Sequence, residues 1–196
     1  MPKLLELFSG TKSVSKVAEE LGFDVVSLDL RDADINCDIL LWDYTIFPPG
    51  TFDVVWASPP CTEYSRAKTV GVRDIEHANQ IVLKTLEIIH YFNPTYWVIE
   101  NPQTGLLKNQ YFMTDLLYND VDYCKYGMPY RKRTRLWNNI RTFTPLPLCK
   151  KNCNFMIGNR HISMGQHDSN STRDLYVIPS DLILEILNST RAGLTY

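Results

Sequence analysis

Cys61 follows two consecutive prolines at the end of an apolar, β-branched run, in the stretch FDVVWASPPCTEYS at 52–65. Proline fixes its own φ and disfavours helical geometry in the preceding residue, so Pro59 and Pro60 stiffen the exit from a strand. A thiol on such a loop is a useful nucleophile when it is partly exposed and surrounded by positive charge. The alternative is a buried cysteine that only fills space, which is the usual fate of a free thiol.

Glu100 ends a second apolar run, WVIENP at 97–102, where a carboxyl group is poorly explained as part of a core. Beside a nucleophilic thiol it could act as an acid or as a hydrogen-bond donor. A strand-end cap or a salt-bridge partner is the alternative role. Because both runs resemble neighbouring strands, we expect Cys61 and Glu100 to lie at the same edge of a sheet.

Basic side chains alternate in YRKRTRLW at 130–137. In a strand, Arg131, Arg133 and Arg135 would share one face, because successive side chains point to opposite sides. That face could contact phosphates or bases, or could hold Glu100 and a substrate in place, since guanidinium groups bind carboxylates and phosphates in a bidentate manner.

Two further groups lie near the amino terminus, FSG at 8–10 and Asp29. A glycine after a strand lets a ligand approach the backbone, and the helix that follows offers free N–H groups. An acid at the end of the next strand, about twenty residues later, suits the hydroxyl groups of a ribose. Together the two groups predict a cofactor that contains a nucleoside.

The elements that must position these residues alternate along the chain between apolar runs and helical patterns. Strands are predicted at 4–8, 24–30, 52–57 and 95–100, and helices at 14–23 and 77–92, whereas 35–43 is ambiguous. Strand, helix and strand in repeated order predict an α/β fold with a parallel sheet and right-handed crossovers. In such open sheets ligands bind beyond the carboxyl ends of the strands, where these candidate residues lie.

The composition of the sequence changes after Ile140, where Pro, Asn, Ser and Gly become frequent and no sustained hydrophobic periodicity is present. We therefore predict a catalytic domain over 1–140 and a small, irregular carboxyl-terminal appendage over 141–196. A proline-led helix start followed by an amphipathic pattern, at 178–189, predicts a helix near the end of the chain.

The formal net charge of −2 conceals a strong asymmetry. Residues 1–122 carry nine Lys/Arg and eighteen Asp/Glu, whereas 123–167 carry nine Lys/Arg and no carboxylate. A basic block inside an acidic protein favours a surface that binds polyanions, with nucleic acid as the leading candidate. A solvated, loop-rich surface is the alternative.

Three cysteines and a histidine in and before the appendage have the side-chain types of a structural zinc site. They are Cys124, Cys149, Cys153 and His161, with His167 as a possible replacement for His161. Cys149 and Cys153 have an acceptable spacing, and a small irregular segment would benefit from a metal. Against zinc, the sequence has no tight CxxC, and ordinary thiols beside a basic surface are the alternative.

Features of the whole chain predict where the protein is located in the cell. No apolar run of the 196 residues reaches the ~20 residues that span a bilayer, and the first residues lack the features of a secretory signal. These features predict a soluble, intracellular protein without membrane partners, in which the five cysteines serve as thiols or ligands.

In order and approximate spacing, these residues resemble the motifs of the cytosine-5 DNA methyltransferase family. The matching pieces are FSG, Asp29, Asp38-Ile39, PPCTEYS, ENP and RKRTR. The resemblance covers roughly 4–140 and is closest to the compact, stand-alone forms of viruses and phages, with a reduced target-recognition region. It therefore implies a virus- or phage-infected host cell as one setting.

The resemblance implies a Rossmann-like sheet of the class I methyltransferases that use S-adenosylmethionine. It places this cofactor over Phe8, Ser9 and Gly10, with Pro59 beside it. By the same resemblance, Asp29 would bind the ribose, and Asp38 with the backbone of Ile39 would bind the adenine.

For the reaction, the resemblance implies that Cys61 attacks carbon 6 of a cytosine and makes carbon 5 nucleophilic toward the methyl group. Glu100 would bind ring nitrogen 3, and Arg133 and Arg135 would steady the ring and the nearby backbone. Nucleic-acid contacts fall to Ser65, Arg131 and Lys132. The target base must leave the duplex stack to be reached, which costs a few kcal/mol.

Three departures from the family pattern affect this expectation. Lys12 stands where a second glycine is usual, and it could crowd the cofactor or contact its carboxylate. Arg131 stands where a glutamine usually opens the arginine motif, and no large target-recognition domain follows. The leading prediction is a DNA methyltransferase with duplex DNA as its partner. The alternatives are the same chemistry on RNA, or a silent nucleic-acid-binding accessory. A dehydrogenase-like enzyme is disfavoured because SPPC and ENP would have no role in it.

Overall fold

Seven strands form the central sheet of the computed structural model, which describes residues 1–162, 176–191 and 193–194. They are β1 Lys3–Leu7, β2 Asp24–Asp29, β3 Ile35–Asn36, β4 Val54–Ala57, β5 Tyr96–Pro102, β6 Tyr118–Asp122 and β7 Arg133–Asn138. Their order is β3-β2-β1-β4-β5-β7-β6. The first five are parallel, and β7 runs antiparallel to both of its neighbours. The predicted α/β class with a mostly parallel sheet is confirmed.

Helices cover both faces of this sheet, which explains why its central strands are apolar throughout. All four residues of β4 are fully buried. Helix α2, Ile75–Phe92, packs on one face through Val82, Ile88 and Phe92. Helices α1, Ser13–Glu20, and α3, Ser180–Arg191, pack on the other face.

The segment predicted as an appendage, 141–196, divides into two parts. Helix α3 contributes Leu182, Ile183 and Leu187 to the core beneath the sheet, so it packs as part of the main body. The irregular part, 141–162, contains only two short antiparallel strands, β8 Met156–Ile157 and β9 Arg160–His161. His167 lies outside the described residues.

Strand β6 is the element that sequence patterns missed. Its sequence, YNDVD, contains two carboxylates and an asparagine, so it lacks the apolar run that marks a buried strand. It forms a strand because it pairs with β7 at the edge of the sheet, in the register Asp120↔Arg135 and Asp122↔Arg133. Among the described residues, no helix combines the length and the apolarity that crossing a bilayer requires.

Candidate active site

A cavity of about 810 Å³ opens beyond the carboxyl ends of β1, β2, β4 and β5. It is lined by most of the residues that the sequence singled out: Phe8, Ser9, Gly10, Asp29, Asp38, Ile39, Pro59, Cys61, Glu100 and Lys132. The fold thus brings the predicted cofactor residues and the predicted nucleophile into one continuous space. Its volume is in the range of pockets that hold cofactors and their substrates.

The loop after β1 is held by a side chain from β2. Phe8 and Gly10 both have positive φ, 62° and 46°, so the chain makes a sharp left-handed turn between β1 and α1. The Gly10 N–H donates to Asp29 Oδ2 at 2.9 Å, and the Leu30 N–H donates to Asp29 Oδ1 at 2.7 Å. Asp29 therefore ties together the ends of two neighbouring strands while it lines the cavity.

Ser9, at the centre of this loop, is 4% exposed. Among the described residues, its hydroxyl group has no hydrogen-bond partner. A buried hydroxyl without a partner costs free energy unless a ligand satisfies it. The loop is therefore suited to a ligand with polar groups, such as the amino-acid part of S-adenosylmethionine. Lys12 is not among the residues that line the cavity.

Glu6 also lines the cavity, and sequence reasoning missed it. It is buried on β1 and accepts hydrogen bonds from the Ser15 N–H at 2.9 Å and from the Ser15 hydroxyl. Burial raises the pKa of Glu6, although the Ser15 contacts oppose that shift. Since Glu6 sits against the amino-terminal end of α1, it orients this helix relative to the cofactor loop. The signal in the sequence was one acid inside the apolar run LLELF.

The loop that carries Cys61 is fixed by a buried side chain from β5. Asn101 is 1% exposed, and its Nδ2 donates to the Pro59 carbonyl oxygen at 2.8 Å. The Ser58 N–H donates to the Leu7 carbonyl oxygen at 3.2 Å. The asparagine of ENP therefore anchors the two prolines, a role that the sequence did not reveal.

The Cys61 side chain is half-buried and lines the cavity. Burial raises the pKa of the Cys61 thiol, the charge of Lys132 lowers it, and the charge of Glu100 raises it. The net effect favours the neutral thiol in the unliganded cavity. The positive charge that was expected beside the thiol belongs to Lys132. Burial affects the pKa of the Cys61 thiol more than this charge does.

Glu100 is 6% exposed and faces the same cavity. The Tyr123 hydroxyl donates to Glu100 Oε1 at 2.9 Å, and Lys132 Nζ lies 3.8 Å from the same oxygen. In the antiparallel pair of β5 and β7, Glu100 stands opposite Leu136. The side chains that share its face therefore have even numbers, such as Lys132 and Thr134.

Comparison with known proteins agrees with this geometry. Residues 3–131 match the family model of C-5 cytosine-specific DNA methylases. A protein of Frog virus 3 (isolate Goorha) is named "Probable DNA (cytosine-5)-methyltransferase". It is 38% identical to this chain over an alignment of 213 residues, which covers 95% of this chain and 99% of the relative. The chain belongs to the C-5 cytosine-specific DNA methylase family. The resemblance found in the motifs is thereby confirmed, and S-adenosylmethionine is the cofactor of this family.

Solved structures show the same fold at low identity. A candidate DNA modification methyltransferase encoded within an E. coli prophage matches with a TM-score of 0.56 and 18% identity, covering 76% of this chain and 52% of that protein. A methyltransferase of Entamoeba histolytica matches with a TM-score of 0.55 and 17% identity, covering 76% and 56%. The methylase chain thus spans about half the length of these two proteins.

In this methylase, Arg133 and Arg135 do share one face of β7, but that face is turned away from Glu100. Arg133 forms a bidentate pair with Asp122, at 2.9 and 2.7 Å, and Arg135 forms one with Asp120, at 2.7 and 2.9 Å. The structure does not bring these two arginines into the cavity. The cause is the two-residue period of a strand, which places Lys132 on the cavity side instead.

The remaining residues predicted to contact nucleic acid lie outside the cavity. Arg131 is exposed at the start of the basic segment. Ser65 lies on the loop after Cys61, where the Arg73 guanidinium donates to the carbonyl oxygens of Glu63, at 2.9 Å, and Ser65, at 2.6 Å. Arg73 thus holds the backbone of this loop, in which Val70 is exposed.

Proposed function

We propose that this methylase transfers a methyl group from S-adenosylmethionine to carbon 5 of cytosine in DNA, through a covalent bond between Cys61 and carbon 6. The observation that carries the proposal is one cavity lined both by the loop at 8–10 with Asp29 and by Cys61 with Glu100. A methyl donor and a flipped base would meet within this cavity. The names of the viral and prophage relatives support DNA as the substrate.

The cofactor end of the cavity suits its ligand through three kinds of group. The buried Ser9 hydroxyl is available to the amino-acid part, and Asp29 lies where a ribose would bind. Asp38 accepts the Leu40 N–H at 2.9 Å, which fixes its carboxylate beside the buried Ile39 and a surface for the adenine. The bound cofactor supplies an electrophilic methyl group.

At the other end, the Cys61 thiol gives its proton to solvent and its sulfur adds to carbon 6 of the cytosine. The electron pair of the 5,6 double bond then becomes available at carbon 5, and Glu100 donates a proton to ring nitrogen 3 to offset the charge that develops on the ring. After carbon 5 is methylated, nitrogen 3 returns its proton to Glu100 and carbon 5 gives its proton to solvent. The carbon 6–sulfur bond then breaks, which restores the double bond and releases Cys61. Lys132 holds Glu100 and favours the thiolate.

Access to the base requires that it leave the stack of the duplex. The loop that follows Cys61 reaches the cavity through Thr62 and exposes Arg66 and Val70. These side chains are suited to contact the DNA around a flipped base. The Frog virus 3 relative supports an infected host cell as the setting.

The test is transfer of a radiolabelled methyl group to duplex DNA, single-stranded DNA and transfer RNA. Wild-type protein should label cytosine carbon 5 in DNA, and Cys61→Ala should lose at least about 10³-fold in rate while the protein remains folded. His90→Ala, an exposed change on α2, is the matched control for handling and folding. Undiminished transfer by Cys61→Ala would remove the nucleophile, and transfer to RNA alone would replace the substrate.

A second readout identifies the bond itself. DNA that contains 5-fluorocytosine cannot lose a proton from carbon 5, so the sulfur cannot depart after methylation. The wild-type protein should therefore form a covalent complex with this DNA in the presence of the cofactor. Peptide mapping should place the attached nucleotide on Cys61, and attachment at any other residue would contradict the mechanism.

A further inference from the structure

Four side chains converge outside the cavity, at the junction of the sheet and the irregular segment. They are Cys124, Cys149, Cys153 and His161, and their sulfur and nitrogen atoms all lie within 4.8 Å of one another. His161 Nε2 is 3.0 Å from Cys153 Sγ and 3.5 Å from Cys149 Sγ. The first two cysteines are buried, and the other two residues are half-buried.

We propose that this cluster binds one structural zinc ion. Zinc–sulfur bonds of ~2.3 Å and zinc–nitrogen bonds of ~2.0 Å, in a tetrahedron, place the ligand atoms roughly 3.5–3.8 Å apart. The distances in the cluster lie near this range, and three thiols with one imidazole are soft ligands that suit zinc. Since all four positions are filled by the protein, the ion would have a structural role and no open position for a substrate.

The turn between Cys149 and Cys153 brings its own backbone close to Cys149 Sγ. Lys151 has a positive φ of 63°, which is uncommon for a residue with a side chain. This conformation directs the backbone N–H groups of Lys151 and Asn152 toward Cys149 Sγ. When zinc is bound, these N–H groups would surround one of its ligand atoms and help to orient it.

The metal would join the irregular segment to the catalytic sheet. Residues 141–162 contribute few buried side chains and two strands of two residues each, so they have little core of their own. Cys124 comes from the sheet side of the junction, and the Cys149 N–H donates to Asp122 Oδ2 at 2.9 Å. A metal at this point would replace the apolar contacts that the segment lacks.

The same ion would support one wall of the active site. Cys124 directly follows Tyr123, whose hydroxyl group binds Glu100. The Tyr123 N–H donates to the Lys132 carbonyl oxygen at 3.1 Å, so the two residues that contact Glu100 are joined through their backbones. Fixing Cys124 therefore restrains both of these contacts.

The test is the metal content of the full chain, purified without chelators. Wild-type protein should contain one zinc ion per chain, and Cys153→Ser should contain almost none. Cys37→Ser is the matched control, because Cys37 lies outside the cluster and its loss should leave one zinc ion per chain. A strong chelator should lower the melting temperature of the wild type, and added zinc should restore it.

A second arm keeps the proposal testable if Cys153→Ser does not fold. Addition of Co²⁺ to the metal-free wild type should give the intense visible absorption of a tetrahedral thiolate site, and His161→Cys should retain metal because it preserves four soft ligands. Wild-type protein without zinc, with a melting temperature that zinc does not change, would overturn the proposal. So would a disulfide within the cluster, detected as fewer than five reactive thiols after denaturation. None of these readouts depends on methyl transfer.

Discussion

Two walls of the active-site cavity are built in different ways. The parallel wall, formed by the carboxyl ends of β1, β2, β4 and β5, is held by hydrogen bonds to the backbone, as from Asn101 to Pro59 and from Gly10 to Asp29. The antiparallel wall, formed by β6, β7 and the connection between them, reaches the cavity through Lys132 and is held by charged side chains. Its pairs are Lys132 with Glu100, Arg133 with Asp122 and Arg135 with Asp120.

The difference shows which functional residues can be placed in the structure from a sequence motif alone. In the parallel wall the functional groups follow strands whose carboxyl ends all meet at one edge, so their position depends only on the topology. In the antiparallel wall the role of each basic residue depends on the face that it occupies, and a shift of one residue reverses that face. Lys132 and Arg133 are neighbours in sequence, but Lys132 lines the cavity, whereas Arg133 pairs with Asp122 on the other face of the strand.

The largest effect should come from Glu100, where the two walls meet. Glu100→Gln should lower kcat by about 10²–10⁴-fold, because an amide cannot supply a proton to the ring. Single-turnover methyl transfer measures this, with Glu76→Gln on the exposed first turn of α2 as the matched control. If the two variants had equal rates, Glu100 would have no role in the reaction.

Substitutions of the two neighbouring residues Arg133 and Lys132 should affect different properties, mainly stability for Arg133 and mainly activity for Lys132. Arg133→Met leaves the fully buried side chain of Asp122 without its partner, so the free energy of unfolding should fall by roughly 3 kcal/mol. Lys132→Met should instead lower kcat, by about tenfold, with a smaller loss of stability. Urea unfolding and methyl transfer on both variants measure the contrast. The opposite pattern would mean that Arg133 is the residue of the cavity.

The smallest expected effect is a shift of the pH profile. Burial raises the pKa of the Cys61 thiol, and the thiolate is the reactive form, so kcat/KM should rise with pH until the thiol has titrated. The charge of Lys132 lowers this pKa, so Lys132→Met should move the profile toward higher pH. Rates of both proteins across a pH series test this sign. A profile that moved toward lower pH would contradict the assigned neighbour.

Much of the parallel wall was predictable from the sequence, since its evidence was local. The runs predicted at 4–8, 24–30, 52–57 and 95–100 became β1, β2, β4 and β5, and residues at or after their ends line one cavity. Glu6, Asn101 and Tyr123 were not predicted as parts of the site. Each acts through a partner far along the chain or on another element, and no spacing rule connects such partners.

The sequence by itself determined the class of fold and the chemical types that lie at the ends of the parallel strands. These properties follow from apolar periodicity and from the fixed geometry of proline and glycine, which act over a few residues. Only the tertiary structure decided that Lys132 faces Glu100, that Arg133 faces Asp122, and that Cys124 meets Cys149, Cys153 and His161. These contacts depend on strand register and on chain segments that are distant in sequence, so they exist only once the sheet has formed.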